Sequence, residues 1–177
     1  MTVHSSTTAP VTARTLAARV VLRVFRDAAY AAAALDAELS RHAELDARDR
    51  ALATELVYGV LRTRGALERR LARYIARRVD DAVTRVHLLV AAYQILLLDR
   101  VPPFAAVDAA VTAVRAERGA RLAGFTNAVL RRLAATGERL TAADAVLESG
   151  PEWLVEWLAA AVGRDETIAL LGGAGPA

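Results

Sequence analysis

The sequence predicts an all-α protein, and three observations lead to that fold class. Hydrophobic residues make up 55% of the 177 residues but aromatic residues only 5%, so the core consists mainly of small and aliphatic side chains that suit closely packed helices. Apolar residues recur at helical spacing, and no convincing stretch alternates as a half-buried strand does. A chain of this length buries roughly 70% of its unfolded surface, which is enough for a core without metal or disulfide.

The first two helices are predicted near residues 12–28 and 31–42. An apolar stripe follows one face of the first helix, as in an amphipathic helix, and consists of Leu16, Val20, Val24 and Phe25. Another face of the same helix carries three arginines, Arg19, Arg23 and Arg26. This basic face is the first candidate binding surface.

A third helix is predicted to begin after Asp46, whose carboxylate suits an N-cap, with Asp49 in its first turn. Gly65 is predicted to end this helix, and a separate basic helix then covers residues 66–78. Its arginines recur at i, i+4 and i+8 and therefore share a face: Arg69, Arg73 and Arg77. That face is the second candidate binding surface.

A buried helix is predicted around the apolar stretch from Val86 to Leu98, which is too short to cross a bilayer. His87 and Gln94 interrupt this stretch. They are seven residues apart and therefore lie on one face of the helix. Two interpretations are open, a satisfied pair in the core or a polar seam between helices.

The helix-breaking residues Pro102 and Pro103 are expected to end the buried helix. Two further helices follow near residues 104–118 and 121–135, separated at Gly119. The chain has four Tyr and three Phe, which are scattered at core-like positions. We expect them to pack in the core, since a base-stacking platform needs aromatic residues interleaved with basic ones.

Charge divides the chain near Gly137. Residues 1–140 carry 22 Arg against 14 acids, and residues 141–177 carry one Arg against six acids. A basic body with an acidic end is typical of an anion-binding domain with an appendage, although solvated helix faces give the same pattern. The predicted division is a disordered tail at 1–11, a helical domain at 12–137 and an acidic segment at 138–177.

The acidic segment holds two predicted helix starts and both tryptophans. Thr141 with Asp144 resembles a capping arrangement, and Pro151 suits the first turn of a final helix. Trp153 and Trp157 are four residues apart on that helix and are the candidate partner-docking residues. They either stay partly exposed or fold back onto the body.

Composition excludes several kinds of site. The chain has no Cys, so disulfides, thiolate metal sites and cysteine nucleophiles are ruled out. Its three histidines give no converging ligand set, and no nucleophile elbow or phosphate loop is present. We therefore predict no catalytic residue and no metal site. No signal peptide is visible, and a soluble, cytoplasmic protein without a membrane partner is expected.

Three segments carry a resemblance to a known family. They are RDRALATELVYGVLR at 48–62, AAYQILLLDRVPP at 91–103 and GFTNAVLRRL at 124–133. Together they resemble the NusB-type helical domain over residues 12–137, and most closely its version at the N-terminus of RsmB-type 16S rRNA cytosine-5 methyltransferases. PEWLVEWLAAAVGRDETIALL at 151–171 resembles the segment that leads into the methyltransferase part.

The resemblance implies a bundle of two packed helical subdomains that contacts RNA largely through basic residues of the first helix. Of those residues, only Arg14 falls where the family pattern also places a basic residue. The expected RNA-binding roles of Arg19, Arg23 and Arg26 depend on spacing alone. The same holds for Arg69, Arg73 and Arg77. In the family the segment after the prolines usually reads VNEAV. This chain has Asp108 and Ala109 in place of the Asn and Glu. Any hydrogen bonds by which that amide and carboxylate hold the preceding loop are therefore not expected here.

The expected function is rRNA binding by the N-terminal part of such a methyltransferase, without catalytic residues of its own. Methylation at cytosine C5 needs a thiolate nucleophile, and S-adenosylmethionine is implied only if a methyltransferase domain follows. The alternative is a stand-alone NusB-type transcription antitermination factor that pairs with a small-subunit ribosomal protein and so regulates DNA-templated transcription.

Overall fold

The computed structural model describes residues 11–76 and 80–173. Within these ranges the chain forms helices and no strand, which confirms the all-α prediction. The helices are α1 Ala13–Asp27, α2 Ala31–Arg41, α3 Ala47–Ala72, α4 Ala82–Leu97, α5 Pro103–Arg118, α6 Ala120–Ala135, α7 Ala142–Ser149, α8 Glu152–Val162 and α9 Arg164–Gly173. Of the predicted N-terminal tail, only Val11 lies inside the described residues. No helix of the described ranges is long and apolar enough to cross a membrane.

α4 forms the centre of the core, as the sequence predicts. It is buried along almost its whole length, and α1, α3, α5 and α6 all pack against it. α1 to α3 form one group of helices and α4 to α6 a second, and the two groups meet along α4. The largest fully buried side chains include Leu88, Leu89 and Leu96 of this helix, so the aliphatic core expected from the composition is present.

Local capping explains where several helices begin. Thr12 and Thr15 form a capping box at the start of α1, with the Thr15 amide 3.2 Å from the Thr12 hydroxyl. The carboxylate of Asp46 accepts from the Asp49 amide at 2.7 Å at the start of α3, and Thr141 caps α7. These side chains satisfy amides that the first turn leaves without a helical partner.

A break between two helical segments is present close to Gly65, as predicted, but it does not lie at the glycine itself. α3 continues through this glycine to Ala72, and its kink lies two residues earlier at Thr63, where φ is −109° and ψ is 15°. Gly65 instead permits a close approach, because a Cβ there would lie 2.9 Å from the Cα of Ser149 in α7. The amide of Ala66 donates to the Ser149 hydroxyl at 3.0 Å. A small residue is therefore needed for packing at this point.

The two prolines also differ from their predicted role. α4 ends at Leu97, five residues before Pro102. Pro102 is the N-cap of α5 and Pro103 its first residue, where the missing N–H costs nothing because that amide has no helical partner. The prolines therefore start α5.

Arg70 joins the acidic segment to the body. Its guanidinium is largely buried and lies 2.8 Å from a carboxylate oxygen of Glu138 and 2.9 Å from one of Glu148. Glu138 precedes α7 and Glu148 lies near its end. We call this three-residue cluster the Arg70 clasp. It holds α7 against α3.

α8 and α9 lie at the end of the bundle. α8 packs mainly against α9, which in turn packs against α7, and none of the residues of α8 is buried. Trp153 and Trp157 are 68% and 63% exposed. The two tryptophans are therefore exposed and do not fold back onto the body of the protein.

A close contact between α3 and α4 depends on Gly59. Tyr93 of α4 lies directly over this glycine, and a Cβ added there would overlap the tyrosine ring. The Tyr93 hydroxyl donates to Glu55, so the ring cannot move away without losing that hydrogen bond.

We expect Gly59→Ala to lower the free energy of unfolding by about 1 to 3 kcal/mol, because the added methyl overpacks the contact. The better helix propensity of Ala offsets only part of this loss. Gly124→Ala is the matched control, since nothing lies within 4 Å of a Cβ at this position in α6. The free energy of unfolding of Gly124→Ala should be about 0.5 to 1 kcal/mol higher than that of the native chain. Urea unfolding measures both, and equal gains would contradict the contact with Tyr93.

The Arg70 clasp makes stability depend on pH. The hydrogen bond from Arg70 lowers the pKa of Glu148 below its ordinary 4.5, against burial that raises it. A carboxylate with a lowered pKa stabilises the fold above its ordinary value and loses that contribution as the pH falls through the lowered pKa. We expect Glu148→Gln to be less stable than the native chain at neutral pH and to approach it below pH 4.5.

Urea unfolding across this pH range is the measurement. Glu152→Gln serves as control, because Glu152 is exposed and forms no ion pair with the described residues. A parallel pH profile for Glu148→Gln and the native chain would show that the clasp adds nothing to stability.

Candidate functional site

A groove of about 1020 Å³ lies between α5 and α6, with Arg14 from the start of α1 in its wall. We call it the α5–α6 groove. Its polar lining residues are Arg14, Asp108, Asn127 and Arg131. Its apolar lining residues are Phe104, Ala105, Val107, Ala109, Val111, Ala134 and Ala135. The groove thus joins two consecutive helices, α5 and α6, to the start of α1, which is far away in sequence.

The position of Arg14 is set by a buried amide. Arg14 Nε donates to Gln94 Oε1 at 2.7 Å, and the side-chain NH₂ of Gln94 donates to the Val90 carbonyl at 2.9 Å. Gln94 is only 1% exposed, so its orientation is fixed by the core. Arg14 forms no ion pair with a carboxylate of the described residues. Its charge is therefore held in place at the groove and left uncompensated.

The interpretation of His87 and Gln94 as satisfied core residues is the one the structure supports. His87 is buried, and its Nε2 lies 3.1 Å from Glu117 Oε1. The two residues have separate partners, one toward α5 and one toward α1. Each is thus satisfied by a different neighbouring helix.

α6 contributes the second guanidinium of the groove. Asn127 and Arg131 are one turn apart, and Arg131 Nε donates to Asn127 Oδ1 at 3.0 Å. Like Arg14, Arg131 has no carboxylate partner within the part of the chain that the structure describes. Asp108 is the single acidic residue in the lining. The groove consequently has a net positive lining and an anion would be attracted to it.

Phe104 corrects the expectation that the aromatic residues pack in the core. It is 75% exposed in the first turn of α5, and Tyr30 is 79% exposed, whereas Tyr93 is buried as expected. The buried stripe of α5 contains Ala106, Ala110 and Ala113. Phe104 lies on the neighbouring face with Asp108 and Val111, at i, i+4 and i+7. That spacing was available in the sequence as a signal.

The arginines predicted along α1, Arg19, Arg23 and Arg26, recur at i, i+4 and i+7 of an unbroken helix and so share one face, but their partners differ. Arg23 lies 4.0 Å from Glu38 of α2, and Arg26 pairs with its neighbour Asp27 at 2.9 Å. The pKa of the Glu117 carboxyl of α5 is lowered mainly by its hydrogen bond with His87, and the charge of the exposed Arg19 adds to this. Arg14 and Arg19 therefore lie toward α5, and Arg23 toward α2.

The second predicted surface is largely matched by acids. Arg73 lies 3.0 Å from Glu138, and Arg69 lies 3.9 Å from Glu148. These are the two carboxylates of the Arg70 clasp. Arg77 lies outside the described residues. An anion that bound Arg69 and Arg73 would have to displace carboxylates that also hold α7.

The described residues offer no arrangement for bound metal. Within 11–76 and 80–173, no group of three or more His, Asp or Glu side chains is placed to hold an ion. The clusters that do occur are pairs and clasps between arginine and carboxylate. The α5–α6 groove brings together two arginines, Arg14 and Arg131, that form no ion pair with the described residues.

Comparisons with known proteins match this fold. The model of the NusB family matches residues 11–135. A Xylella fastidiosa protein named ribosomal RNA small subunit methyltransferase B is 42% identical over 115 residues, which are 63% of this chain and 26% of that protein. The protein of the same name from Xanthomonas campestris pv. campestris is 37% identical over 154 residues, 86% of this chain and 34% of that protein.

A third relative is less similar in sequence. The Bacillus subtilis protein named probable ribosomal RNA small subunit methyltransferase B is 30% identical over 155 residues, 81% of this chain and 34% of that protein. The chain therefore spans about a quarter to a third of the length of these relatives.

Proposed function

The chain belongs to the NusB family, and from that membership we propose that it binds RNA through the α5–α6 groove. The observation that carries the proposal is Arg14, held by the buried Gln94 at the edge of a groove that also contains Arg131. The names of the relatives support ribosomal RNA of the small subunit as the ligand.

The chemistry of guanidinium groups favours this site over the predicted arginine faces. Arg binds phosphate through two parallel hydrogen bonds, and a pre-oriented Arg loses less conformational entropy when it does so. Arg69 and Arg73 already face carboxylates, so RNA would first have to replace those contacts. Arg19 and Arg23 of α1 are intermediate cases, since they lie near Glu117 and Glu38. They extend the proposed surface beyond the groove.

We infer that methyl transfer would not be performed by these residues. An S-adenosylmethionine site in this class of enzyme needs strands that end in a glycine-rich turn, and residues 11–76 and 80–173 contain only helices and loops. The described residues therefore do not fit that cofactor. With no Cys in the sequence, the chain also lacks a thiolate to add to cytosine. Its proposed part in a methyltransferase is to position ribosomal RNA.

The test is a titration of small-subunit ribosomal RNA, transcribed in vitro, at several salt concentrations. Each phosphate contact releases counterions, so the binding constant should fall steeply as salt rises. Arg14→Ala with Arg131→Ala should weaken binding roughly 10- to 100-fold and reduce the salt slope by about 1 to 2. The paired variant Arg69→Ala with Arg73→Ala removes the same charge and is the matched control.

Circular dichroism must show that each variant is folded before its affinity is compared. A loss in the Arg69 and Arg73 variant equal to that in the groove variant would mean that general charge, and not the groove, binds RNA. Binding that is independent of salt would overturn the proposal.

A second candidate function is docking of a protein, and the exposed tryptophans of α8 favour it. A free-standing domain rarely leaves two neighbouring Trp side chains in water, and such patches mark interaction surfaces. The partner we propose for this role is a small-subunit ribosomal protein, in a complex of the antitermination type. RNA would then be secondary to the protein contact.

We expect Trp153→Ala with Trp157→Ala to abolish co-purification of such a ribosomal protein from nuclease-treated lysate, because both rings are exposed. Tyr30→Ala, which removes an exposed aromatic ring elsewhere, should leave it unchanged. Quantitative immunoblotting measures the recovery. Recovery that is equal in the double variant and the native chain would exclude α8 as the docking surface.

A further inference from the structure

We propose that Glu138 and Glu148 mask a second phosphate-binding surface, so that the proposed ligand is confined to the α5–α6 groove. The masked surface consists of three arginines at the end of α3, Arg69, Arg70 and Arg73, and we call it the α3 basic face. The inference rests on the proposed function, because it takes RNA as the ligand. It adds two residues outside the groove that determine where RNA binds.

The α3 basic face has the charge and spacing of a phosphate site. Arg69 and Arg70 lie in the last turn of α3, and Arg73 is its C-cap. Arg73 follows the other two by four and three residues, so the three side chains are neighbours on the helix surface. Three adjacent positive charges without counter-charges would attract a phosphate backbone.

The two carboxylates meet these arginines as phosphates would. One oxygen of Glu138 accepts from Arg70 Nε at 2.8 Å and the other accepts from Arg73 Nη1 at 3.0 Å. Glu148 accepts from both terminal nitrogens of Arg70, and one of its oxygens lies 3.9 Å from Arg69 Nε. Arg binds phosphate through paired hydrogen bonds of the same kind. Each carboxylate therefore bridges two arginines and takes the place of one phosphate.

Stability alone does not explain the outer contacts of this arrangement. The side chains of Arg69 and Arg73 are each 54% exposed, and ion pairs with such exposure contribute little to stability. Other contacts hold α7 on α3, namely those of the largely buried Arg70 and the hydrogen bond from the Ala66 amide to the Ser149 hydroxyl. What the carboxylates change at Arg69 and Arg73 is the charge that faces the solvent.

An open α3 basic face would make RNA binding less selective. Contacts between arginine and phosphate carry no sequence information, so this face would bind any RNA. With the carboxylates in place, a phosphate has to displace one of them and approach its negative charge, and both effects lower the affinity of the face. Arg14 and Arg131 of the groove have no such partner among the described residues. The two glutamates thus direct RNA to the groove.

The experiment compares RNA binding by the native chain and by Glu138→Gln with Glu148→Gln, which we call the unmasked variant. Gln keeps an oxygen acceptor for Arg70 but carries no charge. The probes are small-subunit ribosomal RNA and an unrelated transcript of equal length. Binding of both RNAs should tighten roughly 10- to 100-fold, and the salt slope should steepen by about 1 to 2. The gain should be no smaller for the unrelated transcript, because the face reads no sequence.

Two controls test whether the gain arises at the α3 basic face. Glu152→Gln with Glu156→Gln removes the same charge from α8, where both residues are exposed and form no ion pair with the described residues. Salt screens distant charges, so this variant should bind within about twofold of the native chain. Adding Arg69→Ala and Arg73→Ala to the unmasked variant should abolish the gain. Circular dichroism shows that each variant is folded.

The outcomes separate this proposal from the proposed function. If the native chain binds RNA with a steep salt dependence and the unmasked variant binds no more tightly, masking is overturned and binding in the groove stands. An equal gain in the α8 control overturns masking as well, and so does a gain that survives the loss of Arg69 and Arg73. If only the unmasked variant binds RNA, masking stands and binding in the groove is overturned. If neither protein binds RNA, both proposals fall.

Discussion

The burial of α4 on every side is the constraint on which the rest of the structure depends. A buried polar group on this helix has no access to water, and an unsatisfied one would cost about 1 to 3 kcal/mol. Each buried polar side chain must therefore find a partner, and three of them find it on a neighbouring helix. His87 reaches Glu117 of α5, Tyr93 reaches Glu55 of α3, and Gln94 reaches Arg14 of α1. The contacts of Tyr93 and Gln94 join the two groups of helices, and the contact of His87 joins α4 to α5 within the second group.

The features that were predicted correctly from the sequence depend on residues close together in the chain. Caps such as Asp46 and Thr141 act within three residues, and the apolar stripe of α1 recurs within each turn, so both can be seen in one stretch of chain. Gly65 gives the position of the break only to within two residues, since the kink lies at Thr63. The glycine itself serves a close approach to Ser149, 84 positions away in the sequence. The partners of Arg70 are 68 and 78 positions away. Phe104 was misassigned because aromatic character was taken alone, without the face that it shares with Asp108.

Folding also changes what the charge distribution means. The sequence separates a basic body from an acidic segment, which suggests that the basic faces stay open. In the structure the acidic segment lies against the body through the Arg70 clasp, and its carboxylates face Arg69 and Arg73. The basic surface around Arg69 and Arg73 is thus matched internally. The clasp does not reach the α5–α6 groove.

The two arginines of the groove differ in a way that bears on how their roles can be separated. Arg14 satisfies the buried Oε1 of Gln94, so removing it affects the core and the groove together. Arg131 is exposed, and among the described residues its side chain bonds only to Asn127 one turn away, so its loss should leave the fold nearly unchanged. An effect of Arg131 on RNA binding therefore reports on the groove alone. If the loss of Arg14 weakens RNA binding more than the loss of Arg131 does, the excess includes the cost of leaving the buried Oε1 of Gln94 without its donor.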